Sequence, residues 1–381
     1  MSYTPRQYLL HGTLFLLTLL TTTWAGAEWL KGSPLFHLLW TGNYAEFWQN
    51  YSVGFRFSLP LLGFLSLHEF GHFYYAQKHK LAVSMPFFIP IWLGFLGGPI
   101  SIGTAGAFIS IKSAFRTRRE VFDVGVAGPI LGFIVALGIL FWGFTHLPPP
   151  EFIFEIHPDY KAYGLDYAKY VYNDAANSGN IELGSNLLFE FFKHFVANDP
   201  AAVPNGFELI HYPWLFAGYL ALVFTALNML PMGQLDGGHV IYALFGYEQH
   251  RSISRICFAA FVFYAGLGMV EPYNNFWDEA TSNVLYLLYL FLVFYTMFKD
   301  KGHVAILAIC IFVGQFAMRL IWPSLTGYSG WLVLALLIGR VLGLYHPPAY
   351  HETPLSTTQK VIAWISLLIF ALCFSPEPIK V

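Results

Sequence analysis

The stretch Leu61-Leu-Gly-Phe-Leu-Ser-Leu-His68-Glu69-Phe70-Gly71-His72 decides the reading of this chain. Its last five residues spell H-E-x-x-H at the end of an apolar run. On a helix, positions four apart share a face, so His68 and His72 can both reach one metal ion. Glu69 projects beside them, where a carboxylate can take a proton from metal-bound water. Arg56 marks the outer end of the apolar segment 53–77. His68 lies roughly 18 Å further along at a helical rise of about 1.5 Å per residue. In a bilayer that depth is inside the hydrocarbon and nearer the cytoplasmic face. Ionisable groups there are costly, and they mark function.

Composition agrees with a membrane setting. Of the 381 residues, 56% are hydrophobic and only 11% charged. Mean hydropathy is +0.53. A soluble domain carries roughly 25% charged residues, so a soluble globular protein is excluded. Aromatic residues at 19% exclude a disordered chain. A net charge of −2 gives no reason to expect nucleic acid as a partner. Cys257, Cys310 and Cys373 lie far apart in apolar runs with no CxxC pair, which supports neither a disulfide framework nor a thiolate site.

A spanning helix needs about 20 mostly apolar residues. Candidate spans fall near 8–25, 53–77, 121–145, 213–230, 254–270, 282–298, 303–322, 329–345 and 359–375. The expected fold is therefore an all-α polytopic membrane protein with about nine transmembrane helices. The 8–25 segment lacks a clear small-x-small cleavage site and is read as a retained span. The one long polar stretch is 147–211, which opens on Pro148-Pro149-Pro150 and holds nine of the 22 acidic residues. It is a loop or a small subdomain. Five regions follow: 1–52, the first helix and its loop; 53–146, from the HExxH helix through the next helix; 147–211; 212–252; and 253–381, the C-terminal helices.

With the N-terminus in the cytoplasm, alternation of the spans places 13 of the 20 Lys and Arg residues on the cytoplasmic side. The cluster Lys112, Arg116, Arg118 and Arg119 sets most of that bias. The 147–211 stretch then lies outside.

Two histidines need a third protein ligand if one position is to stay open for water. Few acidic residues sit in apolar surroundings, and Asp236 stands out. It lies in Asn228-Met-Leu-Pro231-Met-Gly233-Gln-Leu235-Asp236-Gly237-Gly238-His239. Pro231 ends the preceding helix, and the glycines permit an unusual backbone path. Unwound backbone at membrane depth is tolerated where it is buried or lines a cavity. His239 is a rival third ligand. Asn228 can donate its amide to an oxyanion.

Together the two motifs resemble the site-2 protease family of intramembrane zinc metalloproteases. That family pairs HExxH on one helix with N-x-x-P-x-x-x-L-D-G-G on a later one. The chain matches at His68, Glu69 and His72, and at Asn228, Pro231, Leu235, Asp236, Gly237 and Gly238. Ala127-Gly128-Pro129 resembles a small-residue motif common in the family. The resemblance implies Zn²⁺ held by His68, His72 and Asp236, with Glu69 as general base. It implies cleavage of a single-span membrane protein substrate in the lipid bilayer, with or without prior trimming by another protease. It also implies a small membrane-associated β-hairpin after the HExxH helix, where substrate adds as a strand. The run Gly97–Lys112 alternates partly and permits one. The 147–211 stretch is short for the PDZ domain that many bacterial members carry, and no C-terminal CBS domain is expected. The alternative class is a membrane metal-ion transporter or a non-proteolytic metal-binding membrane protein. Glu69 separates the two, since a transport site has no use for activated water.

Overall fold

A computed structural model of the chain describes residues 3–96, 101–172, 181–272 and 279–380. The protein is mostly helical, and each of the nine apolar runs contains a helix. Among the described residues, three helices have the length and apolar composition to cross a bilayer: Pro5–Lys31, Arg118–Thr145 and Lys301–Ile321. The apolar helices Pro213–Asn228, Ala280–Phe294, Gly330–Leu342 and Thr357–Cys373 are shorter. The HExxH helix runs from Phe55 to Lys78. Leu9, Leu16, Ile134, Phe141, Ile306 and Val313 are large, apolar and exposed on the three long helices. Such side chains would be a liability in water, whereas lipid accepts them.

The chain forms two compact units. Met1–Ala114, Ala127–Leu227 and Leu368–Val381 make the first; Phe115–Val126 and Asn228–Leu367 make the second.

In the first unit, Phe57, Leu61 and Phe64 of the HExxH helix pack into a core with Leu140, Phe144, Phe216 and Tyr219. The first helix lies against the HExxH helix at very short range. A Cβ on Gly54 would overlap the Thr23 carbonyl, and one on Gly26 would overlap the Phe57 ring. Where the backbones approach, Thr23 and Ser58 share a buried hydrogen bond of 2.8 Å. Thr18 and Thr22 bond back to carbonyls of their own helix, so their hydroxyls are satisfied without water.

Two short strands follow the HExxH helix: β1 (Phe87–Pro90) and β2 (Thr104–Phe108), paired antiparallel with an irregular register between Phe88 and Pro90. The expected hairpin run 97–112 contains β2. Its partner β1 lies ahead of that run, and Gly97, Gly98, Pro99 and Ile100 fall outside the described residues. The strand pair is fastened to the first helix. His11 Nδ1 lies 2.9 Å from the Pro86 carbonyl, and Thr21 donates to the Gly103 carbonyl at 2.7 Å. Gly103 has φ of +84° and sits so close to Thr22 that a Cβ would overlap its backbone. Only glycine meets both demands.

The polar stretch 147–211 belongs to this unit too. It folds as short helices and 3₁₀ turns, with β3 (Glu182–Leu183) pairing antiparallel with β4 (Ile379–Lys380). Phe189 and Phe192 of the helix Leu187–Phe195 reach the main core, while Ile153, Tyr160 and Tyr167 form a small core of their own.

In the second unit, Arg118 is buried and anchors the end of the helix Asp236–Phe245. Its guanidinium donates to the Ala243 carbonyl at 2.9 and 2.6 Å and to the Leu244 carbonyl at 2.6 Å. Those carbonyls have no partner within their own helix, and a cation suits the negative end of its dipole. Arg118→Met is expected to lower stability by about 2–3 kcal/mol, the worth of charged hydrogen bonds lost from buried acceptors. The neighbouring exposed Arg119, paired with Asp123 at 3.5 Å, is the control, and its replacement should change stability by less than about 1 kcal/mol. Thermal unfolding in detergent compares the two.

Candidate metal centre

The HExxH helix, which belongs to the first unit, holds its three motif residues in buried positions. His68, Glu69 and His72 are 2%, 4% and 6% exposed. The two imidazoles meet edge to face, with Nε2 atoms 3.1 Å apart and ring planes at 72°. Two N–H groups cannot point at each other over that distance, so at least one Nε2 presents a lone pair. Zinc–nitrogen bonds of about 2.0–2.1 Å place two tetrahedral ligands about 3.4 Å apart. The separation therefore fits a shared ion.

The room for this pair comes from the facing helix. A Cβ on Gly128 would overlap His72 Nε2, and one on Gly71 would overlap the Ala127 carbonyl. A Cβ on Gly132 would lie 3.0 Å from His68 Nδ1. Ala127-Gly128-Pro129 is thus the place where one helix gives up side-chain volume to admit an imidazole. Pro129 sits inside that helix and removes one of its internal hydrogen bonds. In the sequence this motif stands out only by resemblance. Its partner across the gap, Gly71, occupies one of the unspecified positions of HExxH and drew no notice. A glycine inside an otherwise apolar helix was the signal available.

The other expected site residues belong to the second unit. Asn228 ends the helix Pro213–Asn228, and Asp236 opens the helix Asp236–Phe245; both are half-buried. The link between them is folded tightly on itself. Gly233 adopts φ of +66°. A Cβ on Gly237 would overlap the Met229 carbonyl, and one on Gly238 the Gly233 carbonyl. Ser254 and His250 flank the Gly233 peptide, Ser254 Oγ at 3.4 Å from its nitrogen and His250 Nε2 at 3.3 Å from its oxygen. The glycines of the motif are therefore needed for the backbone path that ends in Asp236. His239, the rival ligand, packs its ring against His346 at 4.7 Å and Phe115 at 6.0 Å, with its Cβ against Gly125.

The pattern that defines peptidase family M50 matches residues 56–270, more than half of the chain. The chain belongs to that family, which bears out the likeness to the site-2 proteases, and it is an integral membrane protein. Among its relatives is a protein described as probable zinc metalloprotease EGY1, chloroplastic, from Arabidopsis thaliana, 30% identical over 50% of this chain and 30% of its own length. Another is probable zinc metalloprotease EGY2, chloroplastic, from Oryza sativa subsp. indica, 25% identical over 52% of this chain and 31% of its own length. The Arabidopsis EGY2 protein is 28% identical over 48% of this chain and 27% of its own length. The match thus spans under a third of each of these relatives. No solved structure matches the chain significantly.

If the Gly128 gap holds the imidazole, Gly128→Ala should lower zinc content and reduce stability by about 1–3 kcal/mol through overpacking. Gly63→Ala on the HExxH helix, where nothing lies within 4 Å of the added Cβ, should leave both unchanged. Metal analysis and thermal unfolding of the purified variants read the difference.

Proposed function

We propose that the chain is an intramembrane zinc metalloprotease that hydrolyses peptide bonds of membrane-anchored proteins. The observation that carries this reading is the buried pair of Nε2 atoms 3.1 Å apart, with Glu69 next to His68 on the same helix. In this reading His68 and His72 hold the ion and Asp236 is the third ligand, on the strength of the N-x-x-P-x-x-x-L-D-G-G motif. Bound zinc supplies an acidified water and a positive charge beside the scissile carbonyl. Glu69 takes the proton of the attacking water and later gives it to the leaving amine nitrogen. The Asn228 amide donates to the oxyanion.

Nine crossings with a cytoplasmic N-terminus follow from the apolar runs and from the Lys and Arg distribution. They put the motif nearer the cytoplasmic face, from which water enters. The substrate is a single-span membrane protein, delivered whole or already trimmed. It binds as an extended strand against the β1–β2 pair, which exposes its backbone carbonyl to attack. An apolar cleft of ≈ 540 Å³ beside β1, lined by His11, Phe15, Ser66, Phe70 and Phe88 among others, supports a seat for a hydrophobic segment there.

Glu69→Gln should keep its zinc and lose cleavage of a single-span reporter by about 10²–10⁴-fold. Turnover at the wild-type rate would remove Glu69 from the reaction. Asp236→Ala should lose zinc as well as activity. Full zinc occupancy in that variant would instead leave His239 as the third ligand.

A further inference from the structure

A second group of metal-competent side chains lies in the polar stretch, among residues that the reaction above does not use. His157, Glu208 and His211 converge there. Glu208 is 1% and His211 4% exposed, whereas the side chain of His157 is 32% exposed. The nitrogen atoms His157 Nε2 and His211 Nε2 are 3.3 Å apart. Each lies 3.5 Å from Glu208 Oε2. Three donor atoms at these separations outline one face of a tetrahedron. An ion bonded at about 2.1 Å to each would need edges of about 3.4 Å.

The partners behind these atoms favour the same reading. His211 Nδ1 lies 3.1 Å from the Leu30 carbonyl and donates its N–H there, which in the neutral ring leaves the Nε2 lone pair facing the other two groups. Glu208 Oε1 accepts a hydrogen bond from the Tyr172 hydroxyl. Oε2, fully buried, makes no well-formed hydrogen bond among the described residues, and its polar neighbours are the two Nε2 atoms at 3.5 Å. A buried carboxylate oxygen left so is costly, and a cation removes that cost. The His157 ring stacks on Tyr160 at 4.6 Å, which fixes its plane. Its partial exposure leaves an entry path and space for a water as fourth ligand.

We infer that His157, Glu208 and His211 form a second divalent-metal site, one that takes zinc and ties the two ends of the polar stretch to the end of the first helix. The ligands explain the role. His157 lies near the start of the stretch, and Glu208 and His211 lie at its end, just before the helix Pro213–Asn228. Through the Leu30 carbonyl the cluster also touches the end of the first helix. One ion therefore ties three places in the chain together. Two imidazoles with one carboxylate suit Zn²⁺ better than Ca²⁺ or Mg²⁺, which prefer all-oxygen sets. This site does not depend on the proteolytic reading.

Metal counting on the full-length protein in detergent tests it, after loose metal is removed with a weak chelator. The wild type should carry two zinc ions per chain. Glu208→Gln and, separately, His157→Ala should each carry one. The double variant His68→Ala with His72→Ala should also keep one, and that remaining ion should give the visible absorption of a four-coordinate site when exchanged for Co²⁺. Zinc should slow proteolysis within 147–211 in the wild type and not in His157→Ala, whose half-exposed position spares the fold. A single zinc that vanishes with His68 and His72, and is untouched by His157→Ala and Glu208→Gln, would overturn the proposal. So would a double variant that binds no Co²⁺. A wild type with one zinc that survives the His68/His72 change but not His157→Ala would support this site while sinking the first.

Discussion

Two imidazoles can be buried between membrane helices only where a neighbouring helix gives up volume, and much of the first unit follows from that constraint. His72 Nε2 occupies the space in which residue 128 would carry a side chain. Gly71 lets the same two backbones close up around it. At residue 71 the obstacle is a peptide carbonyl, which no rotamer change moves; at residue 128 it is the His72 ring, which a Cβ would push out of its place beside His68. Lipid offers no water to fill a gap or to satisfy a stray polar group. The packing must therefore be complete on its own terms. The back-bonded threonines of the first helix and the Thr23–Ser58 bond show the same economy away from the site.

The second unit meets the same demand differently. Between Asn228 and Asp236 the backbone leaves the helical path, and its freed peptides must find partners. Ser254 and His250 serve the Gly233 peptide, and Arg118 serves the last carbonyls of the helix that Asp236 begins. A charged residue deep in an apolar protein is then no anomaly. It is the donor that a short helix needs at its end, brought from more than a hundred residues away in sequence.

Local patterns were legible and distant ones were not. The HExxH spacing, the apolar runs and the Pro231–Gly238 break are all written within one continuous stretch of at most about 25 residues, and the helices and the folded turn lie where those patterns put them. The strand pair shows the limit. β2 falls inside the alternating run, but its partner Phe87–Pro90 carries no alternation of its own and pairs across a gap in sequence. The Gly71–Gly128 contact likewise depends on two helices finding each other. Glu208 and His211 are three residues apart and could have been noticed as a pair. His157, more than fifty residues upstream, could not have been joined to them by any spacing rule. The role of Asp236 rests on its motif.

The attachment of the strand pair to the first helix has a mechanical consequence. His11 holds the chain just before β1, and Thr21 holds Gly103 just before β2. The pair and that helix therefore travel as one body. If an unwound transmembrane segment lies along the strands, its pull is borne first by a helix that contributes no ligand and no base. Recognition and chemistry would then rest on separate helices, so that variation in the first could retune which proteins are accepted while the zinc ligands keep their positions.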